Sequence, residues 1–183
     1  IFGEPGQEED ERVFRDLVEF GIDMMPLTVD PGDPASVERI RGLIGKFYAE
    51  GITTRLYGRI RDLEDNFIKE GCQEPTESYV RRLTELFADM EGIAQWGFYD
   101  EPGTEHFEYC AFVKRCFEKY DPKGRPVYIN LGPRGQCRGV QTFYDRYAEI
   151  VRPDYYCVDR YPFFMTERGE EMNEEYFYAH LEL

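Results

Sequence analysis

One pattern constrains this chain more than any other: an amphipathic helix, a short turn and an apolar strand follow one another five times. "ERVFRDLVEFG" sets Val13, Phe14, Leu17 and Val18 on one helical face and ends at Gly21, and "IDMMPLT" reads as the strand after it. "DPASVERIRGLIGKFYAEG" offers Asp33 as a cap before Pro34 and spaces Val37, Ile40, Leu43, Ile44 and Phe47 helically. It closes at Gly51 and leads into the strand "ITTRLYG". A polar stretch, "RIRDLEDNFIKEGCQEP", reads as a loop. The unit then returns as "TESYVRRLTELFADMEG" with the strand "IAQWGFY", and again as "TEHFEYCAFVKRCFEKY" with "VYINLGP". "VQTFYDRYAEIVRPD" precedes a fifth strand, "YYCVDRYPFF", and the acidic "GEEMNEEYFYAHLEL" reads as one more helix.

Strands alternating with helices imply a parallel sheet covered by helices. The strand starts, near 22, 52, 93, 126 and 155, are separated by roughly 30 to 40 residues, and a (βα)8 barrel has a unit of about 31. A doubly wound sheet has similar units, but the glycine-rich phosphate loop after its first strand is missing here. The expected fold is therefore a (βα)8 TIM barrel, incomplete, with about strands 2 to 6 present in one domain over 1–183. Five strands do not close an eight-stranded barrel, so the expected partner is the remainder of its own barrel.

The charge narrows the function classes. With 37 acidic and 22 basic residues the net charge is -15, which argues against nucleic acid and against an anionic membrane, both of which need a basic surface. No apolar run approaches the ~20 residues of a membrane span, so no membrane insertion is expected. Five cysteines without a CxxC pair, beside two histidines, make a zinc site unexpected; Cys110 and Cys157 read as small buried hydrophobes. No metal and no cofactor are expected, and a neutral ligand such as a sugar suits the charge. Localisation stays open.

In a parallel α/β fold, function gathers at the carboxyl ends of the strands. There stand Thr28 and Asp30; Arg55, Tyr57 and Arg59; Asp100 and Glu101; Asn130; and Asp159 and Tyr161. Aromatic rings with fixed acids and amides suit a carbohydrate, whose C–H faces stack on rings while its hydroxyls take hydrogen bonds. Each residue also has a plainer reading. Asp100 could cap the helix beginning near Gly103, and Glu101 could favour its positive end. Asn130 could be a turn residue, Asp159 could pair with Arg160 or Arg152, and Tyr161 could be strand packing. Arg55 and Arg59 could be solvated, and His106 reads as a surface residue.

At "GFYDEP" the pattern resembles the fourth strand of clan A glycoside hydrolases, (βα)8 retaining enzymes in which that strand ends in Asn-Glu-Pro. It looks closest to bacterial clan-A-like barrels that read Asp-Glu-Pro, whose following segments resemble "YDPKGRPVYINLGP" and "YAEIVRPDYYCVDRYPFF". The resemblance runs through 93–164 with specific motifs and more loosely through 12–92. It implies that Glu101 is the general acid/base, with Asp100 beside it as the second catalytic candidate and Asn130, Asp159 and Tyr161 lining the subsites; Arg55 and Tyr57, at the end of the second strand, are expected to bind substrate as well. Asp100 stands where the clan has Asn, a departure that replaces a donor with an acceptor. The clan's nucleophile is a Glu ending the seventh strand, which by this count would lie beyond Leu183. Two other readings stay open: a substrate-assisted N-acetylhexosaminidase-type hydrolase, in which the Asp steers an acetamido group, and a non-catalytic glycan-binding barrel.

Overall fold

The computed structural model describes residues 7–132, 140–159, 163–166 and 169–172. Helices α1 (Gln7–Glu19), α2 (Pro34–Ala49), α3 (Glu64–Glu70), α4 (Glu74–Leu86), α5 (Phe107–Tyr120) and α6 (Val140–Val151) alternate with five parallel strands. These are β1 (Met24–Thr28), β2 (Thr53–Tyr57), β3 (Ile93–Asp100), β4 (Val127–Leu131) and β5 (Cys157–Val158). They pair in sequence order, β1-β2-β3-β4-β5. That order decides the architecture. A doubly wound sheet reverses its strand order at a switch point, and this sheet has no reversal. Parallel neighbours joined by right-handed crossovers, always advancing in one direction, place every helix on one face and curl the sheet into an open barrel wall.

The capping signals act as read. Asp33 accepts a hydrogen bond from the Ala35 N–H at 3.0 Å, Pro34 opens α2, and Gly51 takes a left-handed φ of 80° just past the helix end. Between sheet and helices lies the core, where Trp96 stacks on Phe117 at 5.2 Å and Phe107 meets Tyr147 edge-on at 5.3 Å. Burial of such rings, with Leu56, Leu83, Ile44 and Phe87, supplies the main drive for folding. Pro26, which lacks an N–H, is tolerated in β1 because that strand has one neighbour among the described residues.

β3 has eight residues where β2 and β4 have five, and it carries one bulge against each neighbour. Its register slips once against β2, between the Thr54–Ile93 and Arg55–Gln95 pairs, and once against β4, where Gly97 pairs with Tyr128 but Tyr99 with Ile129. The second slip leaves Phe98 as the extra residue.

Three expectations are corrected. The stretch after β2 is not a plain loop: Ile60–Leu63 form a 3₁₀ turn and α3 follows, seated by buried Ile60 and by Phe67 stacked on Phe112 at 5.2 Å. The fifth strand is short and ends at Val158, while Phe163–Thr166 (β6) forms a separate antiparallel hairpin with Gly169–Met172 (β7). The start of the expected last helix is thus β-paired, local cross-strand pairing having overridden the helix propensity of Glu and Met. Cys72, Cys110, Cys116 and Cys157 are free thiols; Cys137 lies outside the described residues.

Candidate functional site

Asp100 and Glu101 stand where β3 hands the chain to α5, and the two do different things. Asp100 is register-paired with Asn130 and accepts from its Nδ2 at 2.9 Å. It caps nothing: the 3₁₀ turn that opens at Gly103 has no side-chain cap. Asn130 is buried within β4 and not in a turn. Glu101 is exposed and holds a left-handed φ of 52°, which a glutamate adopts at a cost of about 1 kcal/mol or more. Its N–H donates to the Asn130 carbonyl at 2.8 Å. Its carboxyl group lies on Gly132, where a Cβ would come within 2.9 Å of Cδ. The residue is held in this strained shape at the strand end by contacts with Asn130 and Gly132.

Along the inner face, away from the helices, the alternation of β2, β3 and β4 assembles a polar cluster. The Tyr57 ring occupies the space above Gly97 that a Cβ would need. Tyr57 meets Tyr128 edge-on at 6.4 Å, and the Arg55 guanidinium carbon lies 3.4 Å from the Tyr128 ring centroid. The Gln95 amide is oriented by its neighbours: turned with its carbonyl toward Arg55, it accepts from Nε at 2.8 Å and Nη2 at 2.9 Å, with its nitrogen facing the Tyr155 hydroxyl. The Cys157 thiol lies 3.4 Å from the Tyr128 hydroxyl and 3.5 Å from Asn130 Oδ1, which ties the cluster to Asp100. Burial raises the Tyr57 and Tyr128 phenols above their usual range and pushes Tyr155 up to about 12. Arg55 opposes the shift at Tyr57, while Asp100 adds to it. All three hydroxyls stay protonated at neutral pH and can donate.

A second cluster buttresses the loop after β3 from the helix side. Buried Glu64 accepts from the Tyr99 hydroxyl at 2.7 Å and meets His106 Nδ1 at 2.7 Å, and His106 Nε2 lies 3.2 Å from Glu105. His106 is 27% exposed and tied down, not the free surface residue its position implied. Arg61 lies over the Tyr99 ring at 4.7 Å.

The sequence-derived site residues therefore divide. Arg55, Tyr57, Asp100 and Asn130 come together on one face. Glu101 stands at its rim. Asp159, half-buried, continues the strand end, its N–H donating to the Leu131 carbonyl at 3.0 Å. Tyr161 lies outside the described residues. Arg59 is exposed and paired with Asp62 at 2.9 Å, and Asp30 is occupied with the Gly32 N–H at 2.8 Å, so neither joins the cluster. Sequence reasoning missed Gln95, Tyr128, Tyr155 and Cys157. Gln95 carried a signal, as a lone amide inside an otherwise apolar strand.

No known family matches this sequence, and no curated protein does. Solved structures do. A beta-glucuronidase from Lactobacillus rhamnosus matches with a TM-score of 0.58 at 17% identity, over 85% of this chain and 25% of its own. A beta-glucosidase from Exiguobacterium marinum matches with a TM-score of 0.61 at 10% identity, over 96% and 63%. An L-ribulose 3-epimerase matches with a TM-score of 0.55 at 15% identity, over 85% and 56%. The chain thus spans from a quarter to under two thirds of the length of these structures. At such identities the likeness carries the fold, an incomplete α/β barrel shared with glycosidases and an epimerase. Among the described residues no group of three or more His, Cys, Asp or Glu is placed to hold a metal ion, and no helix is long and apolar enough to cross a membrane.

Proposed function

We propose that this chain is part of a glycoside hydrolase barrel in which Glu101 is the general acid/base. The observation that carries the reading is the shape of Glu101: an exposed glutamate at a strand end, kept left-handed and lying against a glycine. Strain of this kind persists only where the surroundings impose it, and it gathers at functional sites. Glu101 would give its proton to the glycosidic oxygen as the bond to the anomeric carbon breaks, and a second carboxylate would close on that carbon. It would then take a proton from water as water displaces that carboxylate. Retaining chemistry places the second carboxyl about 5–5.5 Å away, and we assign it to a later barrel unit. Asn130, Asp100, Tyr57 and Arg55 line the substrate site, with Asp159 on the same rim.

Packing supports the remainder of the barrel as partner. β1 and β5 each have a single neighbour among the described residues. A cleft of about 460 Å³ runs beside β1, lined by Met25, Leu27, Ile40, Leu43 and Tyr57, where a further βα unit would pack.

The substrate-assisted reading draws on one observation, the fixing of Asp100 as an acceptor by Asn130. An assay of the whole protein on aryl glycosides separates the readings. Glu101→Gln should lower kcat by about 10²-fold or more on poor leaving groups and by less on activated ones. Undiminished activity on poor leaving groups would sink the assignment. A glycan-binding barrel would show binding and no turnover.

A further inference from the structure

We propose that Arg55 is an anion receptor on the inner face, and that the carbohydrate taken by this site carries a carboxylate or phosphate group. The inference rests on the carbohydrate reading above and sharpens it to acidic sugars.

The reason lies in what Arg55 lacks. In a chain with 37 acids against 22 bases, cations readily find carboxylates. Arg41, Lys119, Lys123 and Arg125 lie 2.6, 2.7, 2.7 and 3.6 Å from Asp89, Glu77, Glu91 and Asp121. Arg55 has no carboxylate at ion-pair distance among the described residues, although Asp100 shares its cluster. Every group that orients it is neutral: the Tyr128 ring at 3.4 Å, the Gln95 carbonyl at 2.8 and 2.9 Å, and Met24 Sδ at 3.7 Å from Nη2. The ring and the amide fix the plane of the guanidinium without cancelling its charge.

A structural arginine is held otherwise, by a carboxylate and backbone carbonyls. Arg125 spends Nη2 on the carbonyls of Phe87 at 3.2 Å and Met90 at 3.0 Å, besides its aspartate. No backbone carbonyl accepts from Arg55 among the described residues. Gln95 takes two of the five N–H donors, the Tyr57 phenol leans on the group as well, and donors remain for a planar or tetrahedral oxyanion. The charge pattern also sets polarity. Asp100 and Glu101 make the strand end acidic, so a ligand with one anionic group gains most by turning that group toward Arg55 and its neutral end toward Glu101.

Calorimetric titration with a neutral hexose, the corresponding hexuronate, the hexose 6-phosphate and inorganic phosphate tests this. One of the two acidic sugars should bind at least tenfold more tightly than the hexose, and which one does identifies the anion. The preference should vanish in Arg55→Met. It should vanish also in Gln95→Glu, which keeps the arginine but gives it an internal carboxylate, and which carries the test if Arg55→Met does not fold. Equal binding of charged and neutral sugars by the wild type overturns the proposal, as does a preference that survives either substitution. Phosphate bound through Arg55 with no sugar bound would uphold the anion site and refute the carbohydrate reading. No binding of any anion would refute the anion site itself.

Discussion

Two arginines lie against aromatic rings in this molecule, and their surroundings are opposite. Arg125, where β4 begins, lies 5.2 Å from the Trp96 ring, with its side chain 5% exposed beside a fully buried Asp121. Asp121 also accepts from Trp96 Nε1 at 3.0 Å and from the Arg125 N–H at 2.8 Å. Burial presses the Arg125 pKa down, and Asp121 counters it. Arg55, midway along β2 on the other face, has a closer ring and no acid at ion-pair distance among the described residues. One region closes its charges on each other; the other leaves a charge for something else. The strand starts close on themselves, while the binding we propose lies toward the strand ends; a parallel barrel makes this division between its two ends.

Removing the paired partner should have the largest effect. Asp121→Ala strands a buried guanidinium and frees the indole N–H, so it should cost about 3–5 kcal/mol in chemical denaturation. A loss under about 1 kcal/mol would mean the network is not closed as described. Arg55→Met strands no acid, so its stability should stay within about 1 kcal/mol of wild type while anion binding goes. A loss as large as that of Asp121→Ala would erase the comparison.

Gly132→Ala separates site from scaffold more finely. Its new methyl would meet the flexible end of Glu101, which can swing away, so the melting temperature should hardly move. Turnover by the whole protein should fall about tenfold or more as the carboxyl is displaced. Unchanged turnover would mean that the contact does not position Glu101. The smallest effect belongs to Asp89 at the paired end. Arg41 holds its carboxyl down from 3.8 to about 2. Because the folded value is depressed, the pair's contribution is complete above 3.8 and fades as the pH falls toward about 2. Asp89→Asn should flatten acid destabilisation over that range, and less so in high salt because the pair is exposed. An identical acid limb in both proteins would count against the pairing.

The frame was readable because its signals are local. Asp33, Pro34 and Gly51 bracket α2 by chemistry that acts within a turn, and the apolar runs of β2, β3 and β4 lie where they were read. The helix after β2 was hidden by its polarity: only Ile60 and Phe67 reach the core, too few to make a stripe. The site was half visible. "DEP" ends a strand, which any reader of parallel folds would mark. The cluster behind it draws on β2, β3, β4 and the approach to β5, stretches some 30 to 40 residues apart, and no local rule brings Gln95 to Arg55 or Cys157 to Tyr128. His106 was misjudged for the same reason, since its partner Glu64 lies in the segment read as loop.

The slip at Phe98 has a consequence of its own. Without the slip, strict alternation from Gly97 through Phe98 would aim Tyr99 at the inner face and Asp100 at the helices. With it, Tyr99 turns outward to Glu64 and Asp100 inward to Asn130. The strand therefore keeps time with an added beat, and that beat chooses which of two adjacent side chains faces the inner surface. Composition is indifferent to it. The same residues paired in unbroken alternation would have the same composition, charge and motif, and would present a phenol where this chain presents an acid.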